Sequence, residues 1–175
     1  MAEMDSKVEA GGALSALRER AGQYLTFELD AEVYGLEILK VQEIIGMMAV
    51  TRVPRTPAFV RGVINLRGKV IPVIDLRLKF AMAPREDTTR TCIIVVQVSG
   101  AGHDITMGII VDQVSEVLDI VADQMEPAPS FGQGVDTEFI FGMGKVGDKV
   151  IMLLDVDKVL SGGELALFKN MEQDE

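Results

Sequence analysis

The chain has 175 residues, of which 48% are hydrophobic, enough to bury the core of one medium domain or of two small domains sharing an interface. Its formal net charge of -10 at pH 7 argues against a general binder of nucleic acid or of anionic membranes, because both surfaces would repel it. The single cysteine, Cys92, excludes an intrachain disulfide, and the apolar run that follows it indicates a small core residue in a strand.

The first 22 residues are predicted to be a flexible N-terminal tail, because they are small, charged and interrupted by glycine. Leu14, Leu17 and Ala21 have helical spacing, which allows one marginal helix. The segment lacks the uninterrupted apolar run of a signal peptide, and no later segment reaches the roughly 20 apolar residues that span a bilayer. We therefore expect a cytoplasmic protein without membrane insertion.

From residue 23 to residue 160 the chain is a series of short apolar runs separated by turn residues, the pattern of a mainly β domain. Short helical pieces are predicted from Leu39 to Ile45, around Leu76 to Phe80 and after Asp155. Residues 161–175 are predicted to form a C-terminal helix and an acidic tail. The eight runs are YLTFEL, VYGLEIL, AVTRV, VINL, VIPVI, TCIIVVQV, ITMGIIV and VIMLL.

A hairpin is predicted between residues 60 and 75. Apolar and β-branched residues flank Arg67-Gly68-Lys69, and the glycine supplies the positive φ that such a turn requires. Asp75 directly follows the second strand and precedes Leu76, Leu78 and Phe80, so it is a candidate N-cap of a short helix. The hairpin belongs to a basic region, since nine of the 17 lysines and arginines lie between residues 52 and 90, against three acids. This asymmetry indicates a surface that faces a partner.

An internal repeat predicts two related small β-barrels of about five strands each, an architecture that leaves few unpaired strand edges. We place the two halves at roughly 23–88 and 89–160, with strands able to cross between them. One offset aligns Gly35, Leu36, Ile38, Val41, Glu43 and Pro54 with Gly108, Ile109, Val111, Val114, Glu116 and Pro127. A second offset aligns Gly62, Leu66, Lys69 to Ile71 and Asp75 with Gly142, Val146, Lys149 to Ile151 and Asp155.

Residues for catalysis or metal binding are scarce. His103 is the only histidine and is expected in a turn, so the usual nitrogen and sulfur ligands of zinc cannot be assembled within the chain. Paired carboxylates such as Asp136 and Glu138 remain the only acid and base candidates, and 27 acids produce such pairs by chance. We predict no catalytic residue, no cofactor and no metal ion.

Three glycine or aspartate patterns imitate nucleotide or metal sites. Gly142 to Gly147 matches G-x-G-x-x-G, but a strand follows where a dinucleotide site requires a helix, so a hairpin turn is predicted. Gly62 to Lys69 has one residue too many for a phosphate loop, and Val70 replaces the magnesium ligand. A calcium loop starting at Asp155 fails because Val159 stands at the third ligand position.

Three stretches of the sequence resemble the CheW family of bacterial chemotaxis adaptors, which couple chemoreceptors to the histidine kinase CheA. They are YGLEILKVQEI from Tyr34, TPAFVRGVINLRG from Thr56 and MGIIVDQVSEVL from Met107, so the resemblance covers roughly residues 23–160. It implies two SH3-like five-stranded β-barrels packed side by side, an adaptor that controls the kinase by binding and not by catalysis, and recruitment to receptor clusters at the inner membrane.

The resemblance also implies two sets of binding residues. The cytoplasmic tip of a methyl-accepting chemotaxis receptor would dock in an exposed apolar groove, and the regulatory domain of CheA would meet the block that follows Asp112. Neighbouring units would self-associate in arrays. The implied receptor positions are Val41, Glu43, Gly62, Arg67, Ile93 and Gly108. The implied kinase positions are Val114, Val117 and Leu118.

Two alternatives stay open at this point. One is a CheW-like domain of a larger protein, such as the kinase itself or an adaptor fused to a receiver. The short acidic segment at the start and the final KNMEQDE argue against this alternative. The other is a small barrel enzyme that uses carboxylates, for which no histidine pair or substrate cradle is present in the sequence. Turnover by the purified protein, abolished by one carboxylate change, would favour the enzyme.

Overall fold

The computed structural model describes residues 12, 14–100, 103–128, 139–160 and 164. Within them, the structure has eleven strands and a few short helical segments, and the mainly β prediction is confirmed. The 3-10 helices are Ile38–Lys40, Ala122–Gln124 and Val156–Lys158, and helix α1 is Leu76–Lys79. The strands are β1 (Gly22–Leu29), β2 (Glu32–Glu37), β3 (Val41–Gly46), β4 (Val60–Leu66), β5 (Lys69–Asp75), β6 (Cys92–Gly100), β7 (His103–Val111), β8 (Gln113–Ile120), β9 (Met125–Glu126), β10 (Ile140–Val146) and β11 (Lys149–Leu154).

The strands form two sheets. Sheet 1 has the order β8-β1-β2-β11-β10-β9, and sheet 2 has the order β3-β6-β7-β5-β4. Neighbours pair antiparallel except β2 with β11 and β5 with β7, which are parallel. No ladder joins the first and last strands of either sheet in the described part of the chain, so the predicted barrels are open, barrel-like sheets.

The internal repeat is visible in the strand order and register. The first five strands of sheet 1 have the same order and directions as the five strands of sheet 2. Read in sheet order, β8-β1-β2-β11-β10 is equivalent to β3-β6-β7-β5-β4, so β8 and β3 are the equivalent edge strands. Leu25 opposes Leu36 in sheet 1 as Ile94 opposes Ile109 in sheet 2. Sheet 1 therefore combines the early strands β1 and β2 with the late strands β8 to β11, while sheet 2 combines β3 to β5 with β6 and β7.

Three apolar clusters hold the fold together. The largest lies between the sheets and includes Phe27 and Leu36 from sheet 1 with Ile94 and Ile109 from sheet 2. Each sheet also encloses a smaller cluster of its own, because it curls around the side chains on its other face. The central strands are buried on both faces, which explains why they read as continuous apolar runs and not as alternating patterns.

The predicted hairpin and helix cap are confirmed. β4 and β5 meet at a tight turn in which Arg67 has φ of 53° and Gly68 has φ of 85°, the paired positive values of a hairpin turn. The Asp75 carboxylate accepts hydrogen bonds from the backbone N–H groups of Arg77 at 3.0 Å and Leu78 at 3.4 Å. Asp75 thereby satisfies donors at the start of α1 that have no partner within the helix.

The helical prediction from Leu39 to Ile45 is wrong beyond its first turn. Only Ile38–Lys40 is helical, and β3 follows from Val41 to Gly46 with alternating half-buried and exposed side chains. The reason is tertiary: β-branched Val41, Ile44 and Ile45 pair with β6, and such residues fit a pleated sheet better than a helix.

The residues before β1 pack on sheet 1. Residues 14–18 are helical, and Leu17 is buried where Gly142 leaves room for its side chain. The Arg20 guanidinium pairs with Glu37 and with Asp155 and lies 3.5 Å from the centre of the Phe141 ring. Apart from Glu164, the predicted C-terminal helix and acidic tail lie outside the described residues, as does the carboxylate pair at 136 and 138.

Candidate partner-binding surfaces

Sheet 2 brings Glu43 and Arg67 together from its two sides. Glu43 lies on edge strand β3, and Arg67 lies at the tip of the hairpin that forms the opposite side of the sheet. Arg67 donates two hydrogen bonds to the Glu43 carboxylate, one from each terminal nitrogen, the first at 3.2 Å. This bidentate pair connects β3 to the β4–β5 hairpin across the open side of the sheet, where the described residues form no backbone ladder.

Arg67 remains accessible despite this contact, since 72% of its side chain is exposed. The hydrogen bonds and the charge of Glu43 raise the pKa of the Arg67 guanidinium, so it keeps its charge at every physiological pH. Its positive φ is unfavourable for an L-residue, and the tight hairpin fixes it. The turn thus presents a fixed, permanently charged fork that is able to bind carboxylates or carbonyls.

Gly62 has a structural reason to be glycine. Its φ is 146°, and a Cβ atom there would lie 2.1 Å from the carbonyl oxygen of Thr51. Thr51 and Val63 exchange backbone hydrogen bonds of 2.8 Å on each side of this contact. Gly62 therefore lets the segment containing Thr51 lie directly against β4, and it supports the hairpin without contacting a partner through a side chain.

The structure corrects the expected place of Ile93. The Ile93 side chain is fully buried, because β6 is an inner strand between β3 and β7. Ile93 also lies in the same sheet as Glu43, although the predicted halves, 23–88 and 89–160, separate the two residues. Gly108 lies beside it on β7, where a Cβ atom would approach the Ile93 Cγ2 to 2.6 Å. Ile93 and Gly108 thus form the floor beneath β3 and do not line an exposed groove.

The kinase candidates lie together on edge strand β8 of sheet 1. Val117 is exposed, whereas Val114 and Leu118 are half-buried and pack against two different core clusters. The hydroxyl of Thr26 anchors the strand, donating to the Glu116 carbonyl at 2.7 Å and accepting from the Glu116 N–H at 3.1 Å. Only one of the three positions therefore offers a substantial side-chain surface to a partner.

The two edge strands expose apolar side chains at equivalent positions. Ile44 and Met48 in and after β3 are 45% and 38% exposed, and Val117 and Val121 in and after β8 are 48% and 55% exposed. Both pairs follow the first repeat offset. Met48 and Val121 were absent from the predicted site residues, although the repeat itself points to them. Exposed apolar residues at matched places of a duplicated fold are candidates for binding contacts.

The electrostatics of the two edges differ. Glu116 is equivalent to Glu43 by the repeat, but Gly147 stands where the first hairpin has Arg67. Within the described residues, the Glu116 carboxylate has no ion pair, and the Lys145 ammonium in the second hairpin binds Glu126 at 2.9 Å. In sheet 2, the Glu43 charge is therefore neutralised by Arg67, whose guanidinium is exposed, while the edge of sheet 1 keeps the negative charge of Glu116.

The imitations of nucleotide sites are ordinary structural elements. Gly142 to Gly147 form most of β10 and its turn into β11, which confirms the hairpin prediction. Asp155 accepts from the Asp157 N–H at 3.1 Å, and Asp157 in turn binds Lys40 at 2.9 Å and the Ser99 N–H at 2.8 Å. In the part of the chain that the structure describes, no helix has the length and apolarity needed to cross a bilayer.

Comparisons with known proteins agree on one family. A family model of the CheW-like domain matches residues 23–164. Chemotaxis protein CheW of Klebsiella aerogenes is 44% identical over 154 residues, covering 87% of this chain and 90% of the relative. Chemotaxis protein CheW of Helicobacter pylori is 32% identical, covering 88% and 90%. The crystal structure of scaffolding protein TtCheW from Thermoanaerobacter tengcongensis matches with a TM-score of 0.72 at 37% identity, covering 82% and 97%.

Two related sheets with exposed apolar residues on their edge strands define a protein-binding scaffold. The chain belongs to the CheW family. Its function is that of a chemotaxis adaptor, the class that couples chemoreceptors to the histidine kinase CheA.

Proposed function

We propose that the chain binds a chemoreceptor through sheet 2 and CheA through sheet 1, and that it acts by binding alone. The observation that supports the receptor surface best is the Arg67 fork, which pairs with Glu43 while keeping most of its side chain exposed. Val41 and Ile44 place apolar surface on the same strand as Glu43. An apolar strip next to a fixed charge suits the helical tip of a methyl-accepting receptor.

The proposed roles of the six receptor positions then divide in two. Val41, Glu43 and Arg67 contact the receptor, because Arg67 is exposed and the half-buried Val41 and Glu43 keep part of their side chains at the surface. Gly62, Ile93 and Gly108 hold β3, β4 and β7 in place beneath that surface, because their backbone or side chains are buried against neighbours. Substitutions in the second group would change binding through the fold.

The proposed kinase surface centres on Val117, with Val114 and Leu118 fixing the position of β8. Along β8, these apolar side chains are interspersed with Ser115, Glu116 and Asp119. The surface is therefore a small apolar contact with acidic residues on its two sides. The regulatory domain of CheA would meet this edge as one sheet meets another, and an adaptor with two such edges is able to bridge two partners or to self-associate in an array. We place the protein in the cytoplasm, at receptor clusters.

A reconstituted kinase assay tests the proposal. Receptor-bearing membranes, CheA and this chain are combined, and receptor-controlled phosphorylation of CheA is measured with the wild type and with Arg67→Glu. We expect the variant to lose most of the coupling while its circular dichroism and unfolding midpoint stay close to those of the wild type. Lys145→Glu is the matched control, because it reverses an exposed, ion-paired charge in the equivalent hairpin.

A charge swap separates contact from support. If the Arg67–Glu43 pair serves only to close sheet 2, the double variant Arg67→Glu with Glu43→Arg restores coupling, because the pair reforms with its charges exchanged. If Arg67 contacts the receptor, the swap fails to restore coupling. Restored coupling, or full coupling in Arg67→Glu itself, would refute the proposed receptor contact.

A further inference from the structure

Two adjoining concavities lie at the end of β4 and β5 that is opposite the Arg67 turn. Their volumes are about 490 Å³ and 400 Å³, and both are lined by Arg52 and Val60. Because β4 has seven residues, this end of the hairpin is roughly 20 Å from Arg67. We call the two concavities together the arginine pocket. It lies apart from both edge strands to which partner contacts are assigned above.

The walls of the arginine pocket are apolar and its rim is basic. The apolar lining comes from Ala58, Val60, Leu78 and Pro84 in one concavity and from Val53, Pro54 and Pro57 in the other. Four arginines line the two concavities against two acids. The arginines are Arg52, Arg55, Arg61 and Arg85, and the acids are Asp75 and Glu86. Asp87 and Asp112 also bind Arg61 and Arg85, so the excess positive charge among the described residues is that of Arg52 and Arg55. On a chain of net charge -10, this local excess indicates an anionic ligand.

Two of the arginines are held by acids of the protein. Arg61 lies between Asp75 at 3.1 Å and Asp87 at 3.2 Å, and its pKa is raised by hydrogen bonds to both carboxylates, although burial opposes the rise. Arg85 binds Asp112 at 3.3 Å. These contacts fix two guanidinium groups at the rim and compensate their charge, so the two arginines form a rigid frame.

The other two arginines have no acidic partner among the described residues. Arg52 and Arg55 are exposed, and they flank Val53 and Pro54 in the segment that joins the two concavities. Arg55 has φ of 64°, a conformation unfavourable for an L-residue, and the loop is closed by the Thr56 hydroxyl donating to the Val53 carbonyl at 2.8 Å. The loop thus presents two uncommitted guanidinium forks beside an apolar floor.

We propose that the arginine pocket binds an extended acidic peptide segment of a partner protein. Two joined concavities with apolar walls fit a chain in which carboxylates alternate with apolar residues, and each free guanidinium is able to bind one carboxylate bidentately. A small anion such as phosphate would use the arginines but leave the apolar walls without a contact. Arg52 and Arg55 supply the direct contacts, and Arg61 and Arg85, whose charges their carboxylate partners compensate, hold the rim in place.

Fluorescence anisotropy with a labelled peptide of four Glu-Val repeats tests the proposal on the full chain. We expect binding that weakens as salt is added, because the contacts are charged and partly exposed. The double variant Arg52→Glu with Arg55→Glu is expected to weaken binding about tenfold or more, since it replaces both attractive contacts by repulsion. A peptide of four Lys-Val repeats is expected not to bind.

The matched control is Arg18→Glu with Lys149→Glu, which changes the net charge equally at two exposed sites outside the pocket. We expect it to bind within about twofold of the wild type, since distant surface charges are screened. Equal weakening by both double variants would overturn the proposal, because only net charge would matter. Absence of binding at low salt would also overturn it. Displacement of the peptide by equimolar inorganic phosphate would overturn it in favour of a small-anion site.

Discussion

Sheet 1 and sheet 2 share a strand order, a register and a helix-capping aspartate, yet their open sides are built differently. Asp75 and Asp155 each cap the turn after the hairpin, and their N–H groups donate to Phe59 and Phe139 at 2.7 and 2.8 Å. On the open sides, Arg67 faces Glu43 in sheet 2, whereas sheet 1 has Gly147 and a Glu116 carboxylate without an ion pair among the described residues. The duplicated backbone is retained, and a few surface residues distinguish its two copies.

This comparison explains how one small protein is able to serve two partners. Ile44 and Val117 give the two edge strands nearly equal apolar exposure, so apolar contact alone cannot tell one partner from another. The charges beside these apolar residues are able to distinguish the partners, because an edge strand repels a partner of like charge and attracts a partner of opposite charge. We therefore expect partner specificity to depend on the hairpin tip and on the acidic residues of β8.

The largest expected difference between the sheets concerns equivalent glycines in β4 and β10. Gly62→Ala should destabilise the fold by about 4 kcal/mol, because the new Cβ meets the Thr51 carbonyl and the positive φ adds strain. Gly142→Ala should cost about 1 kcal/mol, since its nearest neighbour at 2.6 Å is a terminal methyl at the flexible end of Leu17, and the nearest backbone atom, the Glu126 carbonyl oxygen, is 3.1 Å away.

Urea denaturation of both variants measures this difference. Leu17→Ala combined with Gly142→Ala serves as a further control, because it removes the methyl that the new Cβ meets. The penalty of Gly142→Ala should shrink in that background. Equal stability of Gly62→Ala and Gly142→Ala would contradict the account, since it would mean that the Thr51 contact is not fixed by the backbone.

A second pair of equivalent glycines, Gly108 in β7 and Gly35 in β2, should give a smaller contrast. Gly108→Ala places a Cβ atom 2.6 Å from the Cγ2 of Ile93, a stiff β-branched side chain, so about 2–3 kcal/mol of stability should be lost. At Gly35 the nearest atom is 3.1 Å away, and about 1 kcal/mol is expected. Thermal unfolding of both variants checks the order, and a larger loss at Gly35 would contradict it.

The next contrast concerns binding. Ile44→Glu should weaken receptor binding about tenfold and leave CheA binding intact, while Val117→Glu should do the reverse, because each places a charge in one apolar contact. Both side chains are about half exposed, so the fold should tolerate either change. Each variant is the control of the other. Sedimentation with receptor membranes and pull-down with CheA measure the two affinities, and loss of both partners in either variant would refute separate surfaces.

Local patterns made part of this fold predictable. The hairpin from Val60, the turn at Gly68 and the cap at Asp75 depend on residues within a few positions of one another, and all three are present. The repeat was legible for the same reason, because its glycines and aspartates occupy turns and close contacts. The mainly β class followed from the short apolar runs between them.

Long-range pairing limited the rest. The spacing of Leu36, Ile38, Val41 and Ile44 fits a helix as well as a strand, and only the ladder with β6 decides in favour of β3. The burial of Ile93 likewise depends on β3 and β7 lying on its two sides. The Arg67–Glu43 pair joins residues 24 positions apart across the open side of a sheet, a contact that the sequence pattern does not contain.

The smallest expected effect is a pH dependence confined to sheet 1. Tyr24 occupies the register position that Ile93 has in sheet 2, and its hydroxyl donates to the Arg20 carbonyl at 2.5 Å. Burial, followed by the charge of Glu37, raises the pKa of the Tyr24 phenol above its ordinary value near 10. The folded state therefore holds this proton more tightly than the unfolded chain does. The resulting stabilisation is complete below the unfolded pKa and is lost as the pH rises above it.

Tyr24→Phe should consequently flatten the alkaline loss of stability. The free energy of unfolding, measured in urea between about pH 9 and pH 10.5, should fall up to about 1 kcal/mol more in the wild type than in the variant. Tyr34→Phe is the comparison variant: because burial also raises the pKa of Tyr34, it should flatten the curve as well, and the double variant Tyr24→Phe with Tyr34→Phe should flatten it more than either single variant. Parallel curves for the wild type and Tyr24→Phe would show that the phenol proton does not distinguish sheet 1 from sheet 2.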